Sequence, residues 1–172
     1  MNKYGVGNIM YNGIVPFTLK PGQVYLARKQ GFIRTVVGSA VSVCLWDEEL
    51  KYACMCHYIF PIPATGDAPS GLYATESVPR MLKTMSCAGS KRRSLSAHIL
   101  GGASSTPNPD LTAQQNVQAA RYILNQNQIP IICEDVGGRV GRKIVFNAEN
   151  GNVAVVKVRK LRSGDFNDDS EF

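Results

Sequence analysis

The sequence predicts an α+β domain with one or more mixed sheets, and three features of the chain predict it. About eight runs of strand length are rich in β-branched and aromatic residues. Two further stretches carry apolar residues at helical spacing. The 172 residues contain no internal repeat and no Pro/Gly/Ser linker, which fits one domain large enough to bury a sizeable core. That domain is expected over residues 1–162, with an acidic tail over 163–172 that is expected to fray.

Residues 1–20 are punctuated by Gly and Asn, as in an irregular arm or an edge strand. Pro21-Gly22 signals a turn ahead of a short strand at Val24-Tyr25-Leu26. Residues 32–37, 41–46 and 52–60 follow as apolar strands. The Pro- and Gly-rich stretch from Pro61 to Gly71 fits neither helix nor central strand, so it is expected as a surface loop. Val78, Met81, Leu82 and Met85 make a helical stripe over 73–87. Pro79 is tolerated only in a first turn, which predicts an effective helix start near Ser77. Residues 94–100 form a strand ending at Gly101-Gly102. The clearest helix spans 112–126, with Thr112-x-x-Gln115 as a capping box and Val117, Ala120, Ile123 and Leu124 as its apolar stripe. After it come a strand over Ile129 to Cys133 and a hairpin joining Lys143–Phe146 to Val153–Val158 through Asn150-Gly151.

A hydrophobic share of 44% and a charged share of 19% describe a soluble globular chain. No apolar run approaches the roughly 20 residues that a membrane span needs, and Met1 to Asn8 lack the apolar core of a signal peptide. Five cysteines without framework spacing fit a reducing, cytoplasmic setting. The net charge of +6 concentrates at Lys91-Arg92-Arg93 and at Lys157, Arg159, Lys160 and Arg162. Each cluster alone is ordinary solvated surface, but together they favour encounter with an acidic partner. Nucleic acid is not the expected partner, because no helix-turn-helix, RRM or zinc-finger pattern is present.

The chemistry-bearing residues lie near the middle of the first half. Ile33 to Val37 lead into the small-residue turn Gly38-Ser39-Ala40, and His57 stands one apolar run later. Taken alone, His57 is more readily a satisfied strand histidine, and Thr35 an ordinary β-branched strand residue. His98 is expected to be structural. Cys54-Met55-Cys56-His57 suggests zinc, but alternation puts both cysteines opposite the histidine and no second ligand pair follows. Gly101-Gly102 and Gly137-Gly138 lack the register of phosphate loops and fit close backbone packing instead. No metal site and no cofactor are expected.

The ordered set Thr35, Gly38-Ser39-Ala40-Val41, Val43-Cys44-Leu45, Asp47, His57 with Pro61, Gly101-Gly102-Ala103-Ser104, Asn116-Val117 and Glu134-Asp135-Val136-Gly137-Gly138 resembles the CheD family of bacterial chemotaxis. The likeness runs over about residues 20–160, in the family's order and spacing, with one departure: Ala40 stands where the family carries its nucleophilic cysteine. The resemblance implies a layered α/β/β sandwich with two main helices, similar to Cys-His toxin deamidases. It implies deamidation of chemoreceptor glutamines to glutamate through a thiol, with His57 as base and Thr35 orienting the imidazole. Backbone N–H groups around Ser39 and Val41 would then hold the oxyanion. The partners so implied are methyl-accepting chemotaxis receptors and a CheC-type phosphatase.

No neighbour is expected to replace the missing thiol. Strand alternation turns Ser39 to the other face, and Cys44 lies roughly 13 Å along the strand from position 40. The chain as written is therefore expected to be inactive or nearly so, whether Ala40 is an engineered change or a natural one. A non-catalytic adaptor that binds receptors or the phosphatase is the alternative.

Overall fold

A computed structural model describes residues 15–104 and 111–159. Most of the expected N-terminal arm and the whole 163–172 tail lie outside the described residues, as do Lys160 and Arg162. Among the described residues the chain forms nine strands and two α-helices. Strands β1 (Phe17–Thr18), β3 (Phe32–Val37), β8 (Gly141–Asn147) and β9 (Val153–Val158) make one sheet, in the order β1-β3-β8-β9. Strands β2 (Val24–Ala27), β5 (Tyr52–Tyr58), β4 (Val41–Asp47), β6 (Leu95–Gly101) and β7 (Ile131–Val136) make the other, in the order β2-β5-β4-β6-β7. Both sheets are mixed: β1 runs parallel to β3 and β7 parallel to β6, while the remaining pairs are antiparallel.

Two separate cores define three layers. Helices α1 (Ala74–Cys87) and α2 (Leu111–Gln126) pack Val78, Met81, Met85, Val117, Ala120 and Leu124 onto Val41, Val43, Leu45, Cys54 and Cys56 of the five-stranded sheet. The opposite face of that sheet puts Cys44, Trp46, Ala53, Met55 and Leu100 against Ile33, Val37, Ile144 and Phe146 of the four-stranded sheet. This is the α/β/β sandwich that the resemblance implied. The central strand β4 is buried along its whole length, which explains its nearly unbroken apolar sequence. No helix among the described residues is long and apolar enough to cross a membrane.

Several boundaries depart from the sequence expectations, and three of the departures have a local reason. Helix α1 begins at Ala74 rather than near Ser77, leaving Pro79 inside it. The loop after β5 makes the earlier start possible, because Phe60 O accepts from Ala74 N–H (2.8 Å) and Pro61 O from Thr75 N–H (3.3 Å). Pro79 then lacks the N–H that would donate to Thr75 O, and its ring crowds that carbonyl. Thr112 is already the second residue of α2, so it is not a helix cap and the capping-box reading fails. Strand β7 covers 131–136 rather than 129–133. Gln128 has a left-handed φ of 59°, and Ile129 N–H returns to Leu124 O (3.0 Å), so Ile129 ends the helix instead of starting the strand.

The Asn150-Gly151 hairpin forms as expected: Gly151 has φ 75° and its N–H reaches Asn147 O at 3.0 Å. At the other end of the molecule the two glycine pairs come together, with Gly137 N–H donating to Gly101 O (2.9 Å) and Ser104 N–H to Gly138 O (2.9 Å). Close packing applies to Gly101 and Gly102 only. A Cβ on Gly101 would strike Ala40 O and Val37, whereas Gly137 and Gly138 face open space. Gly101→Ala adds that clash to a φ of 119°. It should destabilise the fold by about 1–3 kcal/mol in denaturant unfolding; a loss under roughly 0.5 kcal/mol, the size of a neutral surface change, would contradict the close approach.

Candidate functional site

The site lies where β3 of one sheet crosses the end of β5 in the other. His57 follows Ala53 and Met55 on the inter-sheet side of β5, because strand side chains alternate. Thr35 reaches it from β3: Thr35 Oγ1 lies 3.0 Å from His57 Nδ1, and both residues are buried. The direction of that bond follows from a third group. The Thr35 hydroxyl donates its only proton to Leu19 O at 2.8 Å, so Nδ1–H donates to Thr35 Oγ1. The neutral imidazole thus carries its proton on Nδ1 and presents a lone pair on Nε2. Burial disfavours the imidazolium and pushes the His57 pKa down to about 4.

The turn Gly38-Ser39-Ala40 joins β3 to β4 and is held through its carbonyls. Gly102 N–H donates to Ala40 O (2.9 Å), Ala103 N–H to Gly38 O (2.8 Å) and Asn116 Nδ2 to Ser39 O (3.1 Å). Ala40 is half-buried and packs against the inter-sheet core, the same layer that holds His57. Residues 38–40 are bends rather than strand. The alternation that would turn Ser39 away therefore has no footing, and only the half-buried setting of Ser39 describes it. The bond from Gly102 to Ala40 O marks Val41 and Gly101 as a non-hydrogen-bonded pair, so the main chain of Val41 faces Tyr58 instead. Its N–H is committed to that ladder.

The remaining sequence candidates sort by layer. Cys54 and Cys56 face the helices, away from His57, and burial raises both thiols. Cys44 is buried in the inter-sheet core and its thiol is pushed up first by desolvation, which keeps it protonated and unreactive. His98 sits opposite Cys44, 6.2 Å from the ring of Phe146, and burial lowers its pKa. Arg142, fully buried on β8, donates to Asp135 Oδ1 (2.9 and 3.2 Å), Gly137 O (2.9 Å) and Val140 O (3.1 Å). This ties the two sheets together beside the glycine pairs. Lys157 joins Asp135 at 3.4 Å, and the Asp135 carboxyl is held below its usual range by these cations against the opposing effect of burial.

Sequence reasoning missed two features of the site. Leu19 contributes through its main chain, which no side-chain pattern reveals. Asn116 stood out only as part of a motif; its position inside the apolar stripe of α2 was the available signal.

A layered α+β protein with a buried Thr–His pair beside a small-residue turn is the class that fold and site define. The profile of the family described as "CheD chemotactic sensory transduction" matches residues 62–157. The chain is 33% identical over 142 residues to a probable chemoreceptor glutamine deamidase CheD of Sulfurimonas denitrificans, covering 80% of this chain and 91% of that protein. It is 37% identical over 137 residues to the chemoreceptor glutamine deamidase CheD of Halalkalibacterium halodurans, covering 74% and 85%. With the corresponding protein of Anaeromyxobacter dehalogenans it shares 35% over 136 residues, covering 77% and 79%. The chain belongs to the CheD family.

The depressed His57 pKa has a consequence for stability. The unfolded chain takes up this proton near pH 6.5 and the folded chain only near 4, so acidification through that window favours unfolding. Unfolding free energy should fall by on the order of 3 kcal/mol more in the parent than in His57→Gln between pH 7.5 and 4. Equal slopes in the two proteins would contradict the buried neutral imidazole.

Proposed function

We propose that this chain is a protein-glutamine deamidase scaffold of the CheD type, acting on chemoreceptor glutamines as the names of its relatives describe, with its nucleophile position held by Ala40. One observation carries the reading: the inter-sheet layer that receives Ala40 also holds an imidazole whose tautomer is set by Thr35 and Leu19. A neutral histidine with a free Nε2 lone pair is the form a general base requires.

With cysteine at position 40, His57 takes the thiol proton through Nε2, and the thiolate stabilises the imidazolium that burial alone disfavours. Thiolate attack on the glutamine carboxamide carbon forms the S–C bond, and collapse of the adduct breaks the C–N bond. Ammonia leaves with the proton from His57. Water, deprotonated in turn by His57, cleaves the thioester to glutamate and restores the thiol. We assign oxyanion binding to the N–H groups of Ser39 and Ala40, since that of Val41 faces Tyr58. A methyl group at position 40 removes the attacking atom and, with it, on the order of 10⁶ in turnover.

Ala40 itself favours a second reading, a non-catalytic adaptor that keeps the surface for receptors or a CheC-type phosphatase. The two readings separate on one substitution. Ala40→Cys, incubated with a glutamine-bearing chemoreceptor fragment, should release ammonia and add about one dalton per converted glutamine. A folded Ala40→Cys protein that binds the fragment without releasing ammonia would overturn the deamidase reading in favour of the adaptor.

A further inference from the structure

We infer that Asn116 is a positioning residue: its buried carboxamide fixes the orientation of the Ser39–Ala40 peptide, and so aims the Ala40 N–H. The inference rests on the Cys–His reading proposed above and goes beyond it to a residue outside the reacting pair.

The geometry is specific. Asn116 Nδ2 donates to Ser39 O at 3.1 Å and to Ile59 O at 2.6 Å, so one amide bridges the turn that carries residue 40 and the segment leaving His57. The amide orientation is not ambiguous, because both partners are carbonyls and only the NH₂ end can face them. Asn116 is fully buried, and its own main-chain oxygen accepts the Tyr58 hydroxyl at 2.7 Å, which seats α2 on the strand that carries His57.

The turn needs this contact at one place. Main-chain donors from Ala103 and Gly102 hold Gly38 O and Ala40 O on either side. Ser39 O between them is held by the Asn116 side chain. In a planar trans peptide the C=O and the following N–H point in opposite directions. Fixing Ser39 O therefore fixes the Ala40 N–H on the far side of the same plane, the group to which oxyanion binding is assigned. Without the amide, two part-buried carbonyls lose a donor and the Ser39–Ala40 peptide loses the contact that orients it.

The test reads the site through a thiol, not through turnover. In Ala40→Cys, the rate at which iodoacetamide alkylates the introduced thiol is followed against pH, alone and combined with Asn116→Ala, Asn116→Asp or Tyr58→Phe. A thiol at position 40, beside His57, should titrate well below the ordinary value of about 8.5. Asn116→Ala should raise that midpoint by about one pH unit or more and slow alkylation at pH 7 roughly tenfold. Asn116→Asp keeps the shape but loses the donors, so it should shift the midpoint the same way and serves if the alanine variant does not fold. Tyr58→Phe loosens α2 without touching the carboxamide and should leave the midpoint in place. An unchanged midpoint in both Asn116 variants, or an equal shift in Tyr58→Phe, would overturn the positioning role. An ordinary titration in Ala40→Cys itself would instead overturn the Cys–His reading, and this inference with it.

Discussion

The site depends on one hydrogen bond that spans two sheets. Thr35 belongs to the four-stranded sheet and His57 to the five-stranded one, and they meet at 3.0 Å. That distance holds only if the sheets stack in one register. The stacking comes from apolar surface, chiefly Ile33, Val37, Ile144 and Phe146 against Cys44, Met55 and Leu100. A buried imidazole and hydroxyl without partners would work against that packing. Leu19 O and the Thr–His bond partner the hydroxyl and Nδ1, so the polar pair is compatible with the layer and fixes its alignment. Arg142, reaching Asp135 across the same gap, adds a second tie.

A different set of contacts fixes the turn at residue 40. Its carbonyls are held from the strand end at Gly102 and Ala103 and from α2 through Asn116. Glycine is required at position 101 because Ala40 O lies where a side chain would begin. The outcome is a small-residue turn held at three successive carbonyls and a buried imidazole whose proton sits on Nδ1. In the Cys–His reading proposed above, the turn and the imidazole would both be in place before any substrate arrives, as electrostatic preorganisation requires.

Much of this was legible in the sequence. The β4 run Val41–Asp47 reads as buried strand because both its faces meet apolar layers, and the β8–β9 hairpin is announced by Asn150-Gly151. The contact between Thr35 and His57 was suggested by resemblance alone; spacing along the chain does not say that β3 and β5 belong to different sheets. Element ends were the weakest point, since tertiary partners decide them: Phe60 O starts α1 early in spite of Pro79, and the left-handed Gln128 delays β7. Asn116 was obscured because periodicity counts an amide in an apolar stripe as an exception, and its role is visible only once the two carbonyls it bridges are placed.

The central claim is that residue 40 and His57 share one pocket, and the titration of His57 tests it most directly. Imidazole resonances followed by NMR should protonate near pH 4 in the chain as it stands. In Ala40→Cys the imidazolium should persist to near-neutral pH, sustained by a thiolate beside it. An identical titration in the two proteins would place the two side chains apart and contradict the account.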